Sequence, residues 1–270
     1  MRLNLLGVRG STPAPGEAFV KYGGHTSCVA ITATGASHPT LVLDAGTGLR
    51  NLTALLDGQP YSGTILLSHL HWDHMQGLPF FVAGDREGAN TTVCVPAQHG
   101  RSGEALVQQA MSPPAFPISP AGLAGTWQFS AIEPGVYKIE SFTVIAAEVR
   151  HKGGRTFGYR VSDGTTDIAY LPDHVMPGAF TTGLEALVRE VDVLLHDAQF
   201  VESERRLADA YGHSTVGDAI ELAQHMDVRR LVLFHHAPAR TDDQLDAILA
   251  DLDPALPVEM AIEGQVLDLP

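Results

Sequence analysis

Three histidines and an aspartate fall within His69-Leu70-His71-Trp72-Asp73-His74, directly after the apolar run Thr64-Ile65-Leu66-Leu67. Imidazole nitrogens and carboxylate oxygens are the donors that zinc, manganese and iron take from proteins. The apolar run reads as a buried strand. In extended chain, side chains two residues apart project to the same side, roughly 6.5 Å apart. His69 and His71 can therefore converge on one ion, which imidazole binds at about 2.0–2.1 Å. Asp73 and His74 lie where the chain turns and can face a second ion. Incidental loop histidines are the plain alternative, and their density at a strand end argues against it.

The segment resembles the His-x-His-x-Asp-His signature of the metallo-β-lactamase superfamily, whose fold is an αββα sandwich of two mixed sheets with helices outside. Later residues match that family in order. His151, after the strand-like Phe142–Val149, resembles the third histidine of the first metal. Asp173, in Ala169-Tyr170-Leu171-Pro172-Asp173, resembles the aspartate that bridges both ions. His235 resembles the last ligand, joining Asp73, His74 and Asp173; its neighbour His236 is the competing assignment, with a supporting or substrate-facing role if it is not the ligand. Leu194-Leu195-His196-Asp197-Ala198 and Gly212-His213-Ser214-Thr215 resemble two segments of tRNase Z-like phosphodiesterases, in which an acid and a histidine protonate the leaving oxygen. Here the acid is Asp197, one methylene shorter than the family's glutamate, and His196 reads as structural. The opening Gly7-Val8-Arg9-Gly10-Ser11-Thr12-Pro13 and Leu43-Asp44-Ala45-Gly46 also resemble this branch. Asp44 reads equally as a carboxylate orienting a ligand histidine or as a turn cap. Arg9 reads more readily as a surface charge than as a phosphate-binding group.

The resemblance implies two divalent ions, zinc by preference with manganese or iron compatible, and a hydrolase. Its catalytic residues would be Asp73, His213 and Asp197. A hydroxide bridging the ions would attack phosphorus in line, and His213, oriented by Asp197, would give a proton to the departing oxygen. The expected reaction is hydrolysis of small phosphodiesters or cyclic nucleotides. A lactonase or other ester hydrolase can share the same ligands, and a non-catalytic binding or carrier protein can share the scaffold. One departure matters: tRNase Z proteins carry a tRNA-gripping arm, commonly between the third histidine and the bridging aspartate, and here His151 and Asp173 are only 22 positions apart (173 − 151).

These residues need strands and helices to hold them. Buried strands are expected at Cys28–Thr32, Leu41–Leu43, Thr64–Leu67, Thr92–Val95, Phe142–Val149, Phe157–Val161, Ile168–Leu171, Val193–Leu195 and Arg230–Phe234, and the N-terminus from Met1 is strand-like. Helices are expected near Gly48–Leu56, Gly103–Met111, Gly183–Val191, Val216–Met226 and Asp242–Leu252. Thr215 with Asp218, and Thr241 with Gln244, have capping-box spacing. Four prolines between Ser112 and Pro120 mark an irregular loop. Strands interleaved with helices in both halves indicate α/β layering, read as one metallo-β-lactamase-like domain over residues 1–270.

Bulk properties narrow the partners. The chain has a formal net charge of −14, from 31 acidic and 17 basic residues, with no run of Lys or Arg. Such a surface repels a polyanion at long range, so no large nucleic acid is expected. A small anionic substrate, a phosphodiester above all, is compatible because bound cations dominate the local field. The two cysteines, Cys28 and Cys94, make no disulfide framework and point to a reducing cytoplasm. No signal peptide or membrane span is legible. A homodimer is compatible by analogy with similar proteins.

Overall fold

In the computed structural model, which describes residues 1–176 and 178–270, strands and helices alternate along the chain. The strands are β1 (Arg2–Gly7), β2 (Cys28–Thr32), β3 (Leu41–Leu43), β4 (Ser62–Leu66), β5 (Asn90–Pro96), β6 (Thr126–Ile132), β7 (Gly135–Ile139), β8 (Phe142–Val149), β9 (Thr156–Ser162), β10 (Asp167–Leu171), β11 (Val193–Asp197), β12 (Leu231–Phe234), β13 (Val258–Met260) and β14 (Val266–Asp268). The α-helices are α1 (Trp72–Met75), α2 (Gly103–Val107), α3 (Thr182–Val188), α4 (Arg205–Tyr211), α5 (Val216–His225) and α6 (Asp242–Ala250). Both capping boxes form: the Thr215 hydroxyl accepts from the Asp218 N–H, and that of Thr241 from the Gln244 N–H.

The strands make two seven-stranded sheets, ordered β14-β1-β2-β3-β4-β5-β6 and β13-β12-β11-β10-β9-β8-β7. Each sheet is mixed. In the first, the β3–β4, β4–β5 and β5–β6 pairings are parallel; in the second, β10–β11, β11–β12 and β12–β13 are. One core cluster joins inward residues of both sheets, among them Leu3, Leu5, Ile31 and Leu41 from the first and Phe142, Tyr159, Tyr170 and Phe234 from the second. A second cluster packs Leu49, Leu52, Met75 and Leu106 on the outer face of the first sheet. A third packs Leu184, Leu187, Leu222 and Leu245 on the outer face of the second. The result is the expected αββα sandwich.

This topology decides where chemistry can occur. Parallel neighbours end on the same edge, so residues leaving β10, β11 and β12 emerge side by side. Their registers pair Leu171 with His196 and Asp197 with Phe234. Asp173, Asp197 and His235 thus sit at one edge of the second sheet. Asp44 and the segment from Ser68 leave β3 and β4 together in the first. The two edges are tied across the sandwich by the Phe157 N–H to the Ser68 carbonyl (2.8 Å) and the Tyr159 hydroxyl to the Leu67 carbonyl (2.7 Å).

Some element expectations are corrected. Thr47–Leu56 is a 3-10 helix rather than an α-helix. Leu49, Leu52 and Leu55 recur at three-residue spacing, which suits three residues per turn. The α2 helix stops at Val107 instead of reaching Met111, and turns take over. The stretch from Ser112 to Pro120 is irregular, as its prolines require. Among the described residues no helix is long and apolar enough to cross a membrane.

Candidate metal centre

The segment after β4 enters α1 with His71 in extended backbone, so His69 and His71 precede the helical turn and Asp73 and His74 lie within it. Four of the seven expected ligands are thereby delivered to the sheet edge that also receives His151, Asp173 and His235. Ligand atoms of His69, His71 and His151 lie within 4.8 Å of one another, as do those of His69, His74 and Asp173, and those of Asp73, His74 and His235. Asp173 is the hinge between the groups. Its Oδ2 is 2.9 Å from His74 Nε2 and 3.3 Å from His235 Nε2, while its Oδ1 is 3.5 Å from His151 Nε2. Asp73 Oδ2 lies 3.1 Å from His74 Nε2 and 3.2 Å from His235 Nε2.

The surrounding hydrogen bonds fix which nitrogen of each ring is free. Asp44 is fully buried and accepts from the Ser68 N–H (2.6 Å), the Ser68 hydroxyl (2.9 Å), the Tyr170 hydroxyl (2.8 Å) and His74 Nδ1–H (2.7 Å). Of its two sequence readings, the structure selects the orienting carboxylate. Because the Ser68 hydroxyl donates to Asp44, its oxygen is left to accept from His69 Nδ1–H at 3.0 Å. His151 Nδ1–H donates to the Gly212 carbonyl at 2.5 Å. In His69, His74 and His151 the bonded nitrogen is Nδ1, so the lone pair is at Nε2, where a cation would take it.

Electrostatics agree. Burial opposes charge on His74, but Asp73, Asp173 and Asp44 outweigh it and hold its pKa well above the ordinary value, so a cation would take the Nε2 lone pair by displacing a proton. Burial would raise the Asp173 carboxyl, yet His235, His74 and His69 drive it well below the carboxylate range. Burial and the neighbouring imidazoles keep His69 neutral. The buried Nε2 of His69 has no hydrogen-bond partner among the described residues, and Nε2 of His74 faces the carboxylates of Asp73 and Asp173. Nitrogen and oxygen donors set in this way, facing one another around buried carboxylates, fit divalent cations.

Asp197 and His213 stand beside the cluster. Asp197 Oδ2 is 2.8 Å from His213 Nδ1, so the shorter acid reaches its histidine; the N–H groups of His174, Gln199 and Ser214 also donate to this carboxylate. Burial lowers the His213 pKa, but Asp197, then Asp173 and Asp73, push it up to about 9. Its ring stacks on His235, with centroids 5.2 Å apart. Nδ1 being engaged, Nε2 is left for the clefts that His213 lines.

His196 is buried, bonded through Nδ1 to the Asp197 carbonyl and through Nε2 to His174, as its structural reading requires. Two expectations are corrected. Arg9 is neither a surface charge nor a substrate contact: its strand-like bridges to Thr26 and His236 turn it inward, where the guanidinium donates to the carbonyls of Gly23, Ala237 and Arg240 and pairs with Asp242. His236 does not face substrate. Its Nε2 lies 2.8 Å from the Ala261 carbonyl and its ring packs edge-on against Tyr22.

Sequence reasoning missed Ser11, whose N–H donates to Asp73 Oδ2 at 2.7 Å from a left-handed φ of 62°. It also missed Gly10, which must lack a side chain, since a Cβ there would lie 2.4 Å from the His235 ring. The turn-forming Gly10-Ser11-Thr12-Pro13 hinted at a loop, but nothing in it announced a backbone donor aimed at a ligand.

Residues 40–236, more than half of the chain, match the family model described as "Beta-lactamase superfamily domain". The chain belongs to that superfamily. All seven ligand candidates but none of β1, β2, β13 and β14 lie in the matched span. Likeness to curated relatives extends further. Ribonuclease Z of Geobacillus kaustophilus (strain HTA426) is 24% identical over 321 residues, covering 100% of this chain and 99% of its own. Among solved structures, a "diphosphatase from the PhnP family" superposes with a TM-score of 0.72 at 16% identity, covering 100% of this chain and 98% of that one. The human tRNase Z short form superposes with a TM-score of 0.69 at 20% identity, covering 100% of both. This superfamily member thus falls in the tRNase Z-like branch.

Proposed function

We propose that this metal-dependent hydrolase cleaves small phosphodiesters, cyclic nucleotides among them, using two zinc ions held by His69, His71 and His151 on one side and Asp73, His74 and His235 on the other, with Asp173 between. The observation that carries the reading is His213, held by Asp197 at 2.8 Å and set against the ligand cluster with Nδ1 3.6 Å from Asp173. A histidine placed to give a proton beside the reaction centre serves an alkoxide leaving group, which diesters and acyl esters both release, and the likeness to ribonuclease Z favours phosphorus as the centre attacked. When bound, the cations would lower the pKa of water and neutralise phosphoryl charge. Water oxygen bonds to phosphorus as the ester P–O bond breaks, and the Nε2 proton of His213 passes to the departing oxygen. Asp197 holds the ring throughout and stabilises its charge, and a water proton restores it. Asp44 and the Gly212 carbonyl keep ligand imidazoles in the tautomer that binds.

The test is a parallel assay of bis-p-nitrophenyl phosphate, cyclic nucleotides and acyl lactones on zinc- and manganese-loaded protein. Diester turnover is expected; lactone turnover alone would overturn the reading. Cleavage of RNA is the second reading, favoured by the name of the relatives, ribonuclease Z. Against it stand the net charge of −14 and the interval from His151 to Asp173, which β9 and β10 occupy. Comparing a tRNA precursor with a dinucleotide separates the two. Both cysteines are buried and free, and we place the protein in a reducing cytoplasm.

A further inference from the structure

We propose that the cleft beside His213 is the leaving-group subsite and that Tyr211 makes it selective for a planar aromatic alcohol, such as a nucleoside or a phenol. This rests on the phosphodiesterase reading. The cleft, of about 490 Å³, opens from Ser11 and His71 past His213 to Phe200, Tyr211 and Lys152. His213 lines two clefts; the one that holds Asp73 and Asp173 takes the reacting phosphoryl group, and the group on the departing oxygen then extends into this one, still within reach of His213. Two aromatic rings bound it. Phe200 is nearly buried, its ring centroid 5.9 Å from that of His213. Tyr211, which ends α4, is 59% exposed, so its ring is accessible from the cleft. Lys152 Nζ stands 6.0 Å from the Tyr211 ring centroid and is anchored by the Ala210 carbonyl at 2.8 Å.

The backbone ties the wall to the chemistry. Gly212 separates Tyr211 from His213 and turns the chain with φ 85°, a left-handed conformation that glycine adopts without strain. A Cβ there would stand 2.9 Å from Lys152 Cβ and 3.2 Å from His151 Nδ1, so the position is also too tight for one. Its carbonyl accepts from His151. Tyr211, His213 and, through the Gly212 carbonyl, His151 are therefore joined by one short stretch of backbone, which places a ring stacked on Tyr211 beside His213. Stacking tolerates any flat ring, because each presents a π-face, so nucleobase and aryl group share the chemistry.

The test compares three esters of thymidine 3′-phosphate, with the 5′-oxygen of adenosine, with phenol and with methanol, on zinc-loaded wild type, Tyr211→Ala and Tyr211→Phe. Calorimetry with adenosine alone gives a readout free of turnover. Tyr211→Ala should raise KM roughly tenfold for the adenosine and phenol esters, the size of one stacking interaction. KM for the methyl ester should rise far less than for the two aromatic esters, and Tyr211→Phe should restore the wild-type ratio. A rise for only one aromatic ester identifies which ring the subsite takes. Equal changes across all three esters, or no change, would overturn the subsite. If wild type cleaves none of them, the phosphodiesterase reading fails, and adenosine binding then decides. Binding lost in Tyr211→Ala upholds the aromatic subsite, and no binding to wild type rejects it.

Discussion

Replacing Asp44 with Asn tests whether one buried carboxylate sets the protonation of the metal centre. Asp44 meets four donors, and three of them, the hydroxyls of Ser68 and Tyr170 and His74 Nδ1–H, converge on Oδ2. An asparagine has one acceptor oxygen. If that oxygen serves the Ser68 N–H, the amide NH₂ faces three donors. The least costly escape for His74 is to move its proton from Nδ1 to Nε2, and then no lone pair points at Asp73 and Asp173. Loss of such a supporting partner costs 10- to 100-fold in metal affinity, or about 1.4–2.8 kcal/mol. The stranded amide should also destabilise the apoprotein by about 1–3 kcal/mol. Competition titration against a chromophoric zinc chelator reads the first effect and urea unfolding of metal-free protein the second. An Asp44→Asn variant that binds zinc with wild-type stoichiometry and affinity would refute this account of His74.

Three further outcomes are expected. His213→Ala should lower turnover of esters with poor leaving groups by roughly 10²–10⁴-fold while elemental analysis still finds the wild-type metal content. Gly10→Ala, which drives a Cβ into the His235 ring, should weaken zinc binding in the same titration without altering the far-UV spectrum. Burial raises the Asp218 carboxyl, but its bonds to Arg205 at 2.6 and 2.9 Å and to Thr215 hold the pKa below the ordinary value. A carboxylate depressed on folding stabilises above its unfolded pKa of about 3.9 and loses that contribution as pH falls through the folded value. Urea midpoints of wild type and Asp218→Asn should differ at pH 7 and converge as pH falls through the depressed folded-state value of Asp218.

What the sequence made legible was local. His69 to His74 announce themselves by density, and Phe142–Val149 or Cys28–Thr32 by predominantly apolar, β-branched character. Phe142–Val149 and Cys28–Thr32 match observed strands end to end. The β6 strand shows Trp127, Phe129 and Ala131 alternating with polar residues, a two-residue period that could have been read and was not. The short β13 and β14 offer three residues each, too few for any period. Arg9 and His236 misled because a single polar residue carries no sign of its burial. That is settled by where distant chain, Ala237 to Asp242 and Ala261, happens to place carbonyls and a carboxylate. Ser11 and the Gly212 carbonyl act through the backbone, which every residue possesses, so side-chain identity cannot reveal them.

Anomalous diffraction at the zinc edge, on crystals of protein purified without chelator, addresses the central claim most directly. Two zinc peaks are predicted, one among His69, His71 and His151 and one among Asp73, His74 and His235, both in contact with Asp173. Zinc bound elsewhere on the surface, with these seven side chains left uncoordinated, would contradict it.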